Sequence, residues 1–344
     1  MDEVRRVQQV GKFTLTVSIP RDYAKRMGLS AKDTLLVRED VDGTLRLIPT
    51  TRAREAAKAT LKADQAGSKE MLTMLVVGAY AMGYDTIEVS GKEPLDHATV
   101  DQVLRTIKRL RGMEVVESDE RRIVAQSFMD PTKFPVDSLV KRLQILVSRS
   151  LEHVMSSLEL RQTAGLNEVS RIQEEIDELY WLILRQLLVA LSRRELASEI
   201  GIESPLHASG NRVSAKTLDE IGGIIQDAAE ELVRLRKVRA KRDPKVTASM
   251  QRLAAKTREA FNTTVESLLA PDIMLIGRSL ALVEETMQLE KQIMDEILST
   301  AGSGYSRVLV SYFGQLARYC NIIIEISSHR LLRKTSRVVT VQER

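Results

Sequence analysis

The chain is poor in cysteine, aromatic residues and long apolar runs, and each shortage removes a class of protein. One cysteine in 344 residues, Cys320, rules out an intramolecular disulfide framework and fits a reducing compartment. Aromatics make up 4% of the chain, so its cores must be assembled from Leu, Ile, Val, Ala and Met, a bias that favours helix packing over a β-sandwich. The longest apolar candidate, Leu179 to Leu191, is cut by Arg185 and Gln186 and falls short of the roughly 20 residues a membrane span needs. The leading MDEVRR lacks the apolar centre of a signal peptide, so the chain is read as cytoplasmic, with no membrane insertion. The histidines His97, His153, His207 and His329 are scattered and none neighbours the cysteine, which argues against a His/Cys zinc site. Neither a strand followed by G-x-S-x-G nor a Walker loop ending Gly-Lys-Ser/Thr occurs. Without a nucleophile–base constellation, no enzyme activity is expected.

What is present begins with charge. Lys and Arg number 51 against 47 Asp and Glu, and the net charge of +4 permits an anionic partner without demanding one. Two clusters say more. Arg5, Arg6, Lys12, Arg21, Lys25 and Arg26 crowd the start of the chain, opposed by Asp2, Glu3 and Asp22. Arg234, Arg236, Lys237, Arg239, Lys241, Arg242 and Lys245 form the second, opposed by Asp243. Cations closing a helix complement its C-terminal dipole. The sharper reading of this segment is contact with flanking DNA, or with the acidic run Glu174, Glu175, Asp177 and Glu178 of a neighbouring subunit.

Three textures follow one another. In residues 1–50, Phe13, Leu15, Val17 and Ile19 alternate with Thr14, Thr16 and Ser18, the period-2 signature of a half-buried strand ended by Pro20. A short helix from Asp22 stops at Gly28, Ser30 to Lys32 turn, and Thr34–Arg38 and Thr44–Ile48 flank the hairpin signal Asp42-Gly43. Such a unit is too small to bury a sheet alone and is expected to pair with a second copy of itself. Residues 51–135 alternate helix-like 68–82, strand-like Thr86–Ser90, helix-like 97–111, strand-like Gly112–Val116 and strand-like Arg122–Ser127, a small open sheet with helices on one face. From Val136 onward only helical periodicity is seen. Leu139, Leu143, Leu146 and Val147 share one stripe, and Ile172, Ile176, Leu179, Tyr180, Ile183, Leu187 and Leu191 another. Breaks near Gly165, at Gly201–Gly210, at Asp243-Pro244, at Ala270-Pro271 and at Gly302–Gly304 divide it into six helices, with Pro271 read as a first-turn proline. Arg171–Leu188 echoes Ala281–Leu298, and Leu218–Leu232 echoes Phe313–Ser327. Two three-helix bundles, residues 136–243 and 244–335, are expected, with a tail from 336 to 344. "AGSGYS", Ala301–Ser306, lacks a preceding strand and a lysine and reads as an interhelical loop; Cys320 reads as a small core residue.

"VGKFTLTVSIPRDYAKRMGLSAKDTLLVREDVDGTLRLIP" resembles the AbrB-type swapped-hairpin DNA-binding domain (SpoVT/AbrB) in its Gly-Lys turn, Ile-Pro-Arg strand end, Gly28-Leu29 helix stop and Lys32-Asp33 turn. "VGAYAMGYDTIEV", "RGMEVVESDERRIVAQSFMDP" and "EEIDELYWLILRQL" resemble the archaeal form of the PhoU-type phosphate-uptake regulators. The first resemblance implies a dimeric swapped-hairpin β-barrel that lays basic side chains on double-stranded DNA, with Arg5, Arg6, Lys12, Arg21, Lys25 and Arg26 as contacts. The fold expected for the whole chain is therefore multidomain α+β: that barrel, a small α/β domain, and an all-α pair of bundles. Many PhoU-like proteins hold iron or zinc clusters through acidic helix motifs. Here Gln173 and Gly223 stand where carboxylates belong, and Arg318 and Ile322 do so in the second bundle. No cofactor is therefore expected. If a metal binds, the resemblance points to Asp177, Asp227 and Glu230 as its ligands.

The reading that joins these parts is a DNA-binding transcriptional regulator of phosphate uptake or homeostasis, homodimeric through residues 1–50, whose helical part receives the signal. The alternative is a signalling adaptor that docks on a phosphate transporter ATPase or a sensor kinase and uses the N-terminal unit only to dimerise.

Overall fold

Alternation and turn residues build two hairpins in the first compact unit, Met1–Ala56. The computed structural model describes residues 3–39, 43–49, 56–160, 164–237, 244–299 and 304–333. Strands β1 (Gln8–Val10) and β2 (Thr14–Thr16) pair antiparallel with Gln9 opposite Leu15, and Gly11, at φ +70°, reverses the chain between them. The strand expected to run from Phe13 to Pro20 is thus shorter, because β1 offers no partner beyond Gln8. Helix α1 (Arg21–Met27) enters from Pro20 and stops at Gly28, whose φ of 65° lets its N–H return to the Ala24 and Lys25 carbonyls. The Asp33 carboxylate accepts from the Ser30 backbone at 2.7 Å and closes the turn into β3 (Leu35–Glu39). β3 pairs antiparallel with β4 (Leu45–Pro49), Leu36 facing Ile48; Asp42 of the expected turn lies outside the described residues. The unit therefore holds two separate two-stranded sheets. No hydrogen-bonded barrel closes among the described residues, where neither hairpin has a third strand.

The second unit, Ala57–Arg344, opens with an α/β layer. Its elements are β5 (Lys58–Lys62), α2 (Lys69–Ala81), β6 (Thr86–Ser90), α3 (His97–Lys108), β7 (Met113–Ser118) and β8 (Arg122–Ser127). β5 was not anticipated; only Ala59 and Leu61 mark its alternation. The sheet order is β5-β6-β8-β7, with β5 and β6 parallel across the α2 crossover and the other pairs antiparallel. Ser68 and Asp96 cap α2 and α3 by accepting from Met71 N and Thr99 N, each cap contributing about 1 kcal/mol. Leu72, Val76 and Tyr80 of α2 and Val103 and Ile107 of α3 bury against Ile87, Val89, Ile123 and Ala125, so one face of the sheet carries the core.

The rest is helical: α4 (Val136–Leu160), α5 (Ala164–Ser192), the short α6 (Arg194–Glu199), α7 (Pro205–Lys237), α8 (Pro244–Leu269), α9 (Ile273–Ser299) and α10 (Gly304–Leu331). The two apolar stripes are buried as expected, except that Leu191, next to the end of α5, is 48% exposed. The break at Gly201–Gly210 ends earlier than expected: Ser204 accepts from His207 N and Pro205 opens α7, so Gly210 is inside the helix. Pro271 lies ahead of the cap rather than in the first turn, because Asp272 caps α9 by accepting from Met274 N and Leu275 N. Helices α4, α5 and α7 pack on one another, as do α8, α9 and α10. α4 meets α8 and α7 meets α10, which joins both trios in one core. Among the described residues no helix is long and apolar enough to cross a membrane.

Two polar residues inside the α5 stripe tie these layers together. Buried Arg185 donates to the Tyr80 and Tyr84 carbonyls at 2.6 and 3.0 Å and lies over the Tyr80 ring. Buried Gln186 donates to the Pro131 and Phe134 carbonyls at 2.6 and 2.9 Å.

Candidate nucleic-acid interface

None of the described residues of the first unit is buried. Phe13 is 93% exposed and Leu15 70%, and Val7, Val10, Val17, Leu36, Val37 and Leu45 are exposed with them. Apolar side chains spaced as a core face, yet left in water, mark a surface that requires a partner. All six cations singled out in the sequence are exposed on the same unit. Arg5 and Arg6 precede β1, and Arg5 is ion-paired with Glu3. Lys12 occupies the β1–β2 turn, where its carbonyl accepts from the Gln9 side chain at 3.0 Å. Arg21 and Lys25 lie one helical turn apart on α1, and Arg26 rests over the Tyr23 ring at 5.8 Å. Register adds two residues that composition did not single out: Arg38 of β3 sits directly across from Arg46 of β4. The signal was available in the alternation on either side of Asp42-Gly43, which fixes which residues oppose one another.

Of the residues named as possible metal ligands, Asp227 and Glu230 lie one turn apart on α7 and Asp177 lies on α5. Asp177 on α5 receives Arg109 at 2.7 Å and the Gln173 amide at 2.8 Å. Asp227 and Glu230 lie further along α7, where burial and the neighbouring Glu230 raise the Asp227 pKa and Glu230 accepts from Gln226 at 3.0 Å. Among the described residues no group of three or more His, Cys, Asp or Glu is arranged to hold a metal ion. The acidic run is largely engaged within the chain: Arg111 meets Glu178 at 3.0 Å and Arg142 approaches Glu175 at 3.9 Å. Within the basic segment Arg234 is bidentate to Glu231 and Arg236 donates to the Ser157 carbonyl, while residues 238–243 lie outside the described residues. So do residues 301–303 of the Ala301–Ser306 loop.

Cys320 is wholly buried in α10, and burial pushes its thiol up to about 12. A thiol held in that state offers no thiolate at neutral pH. Native protein is expected not to react with a disulfide reagent such as DTNB at mildly alkaline pH, and to titrate one thiol after denaturation. Fast labelling of the native chain would show that the α10 core opens readily.

Comparison with known families divides the chain as the fold does. The family model for antidote-toxin recognition MazE, a bacterial antitoxin, matches residues 8–55, both hairpins and α1. The PhoU domain model matches residues 140–232, from α4 into α7, within the first helical trio. Both are families of regulatory domains. Among curated proteins nothing matches the chain.

Proposed function

We propose that the chain is a DNA-binding transcriptional regulator that works as a homodimer through residues 1–50, with phosphate status reaching it through the PhoU-like helices. One observation carries the reading: the first unit has an amphipathic pattern and none of its described residues is buried, so its apolar face needs a second copy. Two such units would complete a joined sheet and double the exposed cations, which a two-fold-related operator can meet on both halves. The MazE match to residues 8–55 and the PhoU match to residues 140–232 support the two parts of the proposal.

Fluorescence anisotropy with duplex from the gene's own upstream region tests it. Affinity is expected to fall steeply with salt. If each of Arg21, Lys25 and Arg26 neutralises one phosphate, replacing all three by alanine lowers the slope of log K against log salt by about three per protomer. Binding that ignores both salt and sequence would defeat the proposal. Deleting residues 1–50 separates the adaptor alternative: an adaptor keeps its phosphate response without them, whereas a regulator loses it.

A further inference from the structure

A cavity of about 660 Å³ lies between α2, α3 and α5, inside the range of roughly 300–1,000 Å³ typical of small-molecule sites. Met74 and Val77 of α2, Leu110 just after α3, and Trp181 of α5 supply its apolar surface. Trp181 is the only tryptophan of the chain; half-buried, it packs against both the α/β core and the helical core. Gly78 opens onto the same space, and a Cβ built there meets nothing within 4 Å. A helix-interior glycine costs about 1 kcal/mol relative to alanine, so α2 gives up stability at the point where a side chain would fill the cavity.

The charges around it leave a specific remainder. Arg109 is paired with Asp177, and Glu178 with Arg111. Arg105 on α3 and Glu174 on α5 line the cavity at its exposed rim, and among the described residues neither has a hydrogen-bond or ion-pair partner. A purely apolar guest would leave both without a partner and partly desolvated. A polyanion such as a nucleotide would face Glu174, Asp177 and Glu178 together. A guest with one charge of each sign and an apolar body satisfies every surface.

We infer that this cavity is a binding site for a small zwitterion with an apolar or aromatic side chain, the class of the free amino acids. Its carboxylate meets Arg105, its ammonium meets Glu174, and its side chain lies against Trp181 and Met74. The site is separate from the DNA-binding proposal, and binding is read without DNA.

Trp181 fluorescence of the full chain is the readout. L-phenylalanine, L-leucine, L-methionine and the other non-fluorescent common amino acids are titrated beside the half-molecules 3-phenylpropionate and phenethylamine. At least one apolar amino acid is expected to give a saturable change, with its half-molecules about tenfold weaker or worse, the loss of one charge-assisted contact. Gly78→Leu is expected to keep the helical signal and melting temperature and to abolish the response. Arg105→Gln, on the exposed side of α3, is expected to weaken the amino acid about tenfold while leaving the amine unchanged, and Glu174→Gln to do the converse for the acid. The inference is overturned if no amino acid produces a saturable change, if half-molecules bind as well as the zwitterion, or if the Arg105 and Glu174 variants bind as wild type.

Discussion

Replacing Leu15 by aspartate is expected to abolish DNA binding and self-association through the N-terminal unit in one step, with the helical unit's unfolding transition unchanged. Leu15 lies in β2 opposite Gln9, on the face that also carries Phe13 and Val17, and all three are exposed within a single chain. Covering a side chain of this size contributes about 1.5–3 kcal/mol, and a joined sheet would cover several at once. A carboxylate buried in the joined sheet in place of one of them would cost several kcal/mol more. A unit without a core cannot absorb that loss. Sedimentation equilibrium and anisotropy on the full chain read both effects. A Leu15→Asp variant that still binds the upstream duplex with wild-type affinity would show that the exposed face is not the dimer's core.

The second large effect is expected at Arg185. Arg185→Met keeps length and apolar stem but removes the donors that reach the Tyr80 and Tyr84 carbonyls across the α2–β6 connection. Hydrogen bonds to a charged donor contribute about 1.5–3 kcal/mol each, and after the change the Tyr80 carbonyl keeps only the Gly83 backbone N–H, at 3.0 Å. The expected loss is about 3–5 kcal/mol by urea unfolding, accompanied by faster amide exchange in α2. The control is Arg171→Met on the same helix. Its side chain is 80% exposed and meets Glu168 only at 3.5 Å, so the change should stay within about 0.5 kcal/mol. Equal effects at the two positions would mean that Arg185 is a packing residue and that its polar contacts are dispensable.

Local patterns were the legible part of the fold. β6 and β8 fall where alternation placed them, because Ile87 and Val89, and Ile123 and Ala125, repeat with period two between clear turn residues. Helix α1 was readable from Pro20 and Gly28, which constrain the backbone whatever surrounds them. β5 was missed because KATLK offers two apolar residues between lysines and becomes a strand by pairing with β6. The site was legible in part. The exposed cations were found from composition, but the opposition of Arg38 and Arg46 needed the register. Asp177 was singled out through the resemblance to acidic helix motifs, and the structure gives it Arg109, a residue of another layer.

The sequence by itself determined most of the elements, their order and the incompleteness of the first unit, since strand and helix periods, caps and core size are properties of short segments; β5 and the short α6 were exceptions. Tertiary structure decided what the interrupting polar residues are for. Arg185 and Gln186 read in the sequence as flaws in an apolar run and prove to be buried donors to carbonyls of other layers. The cavity beside Trp181 likewise exists only where α5 meets α2 and α3, well before it in the chain. Partners of buried polar groups are set by packing between segments, and no local period encodes them.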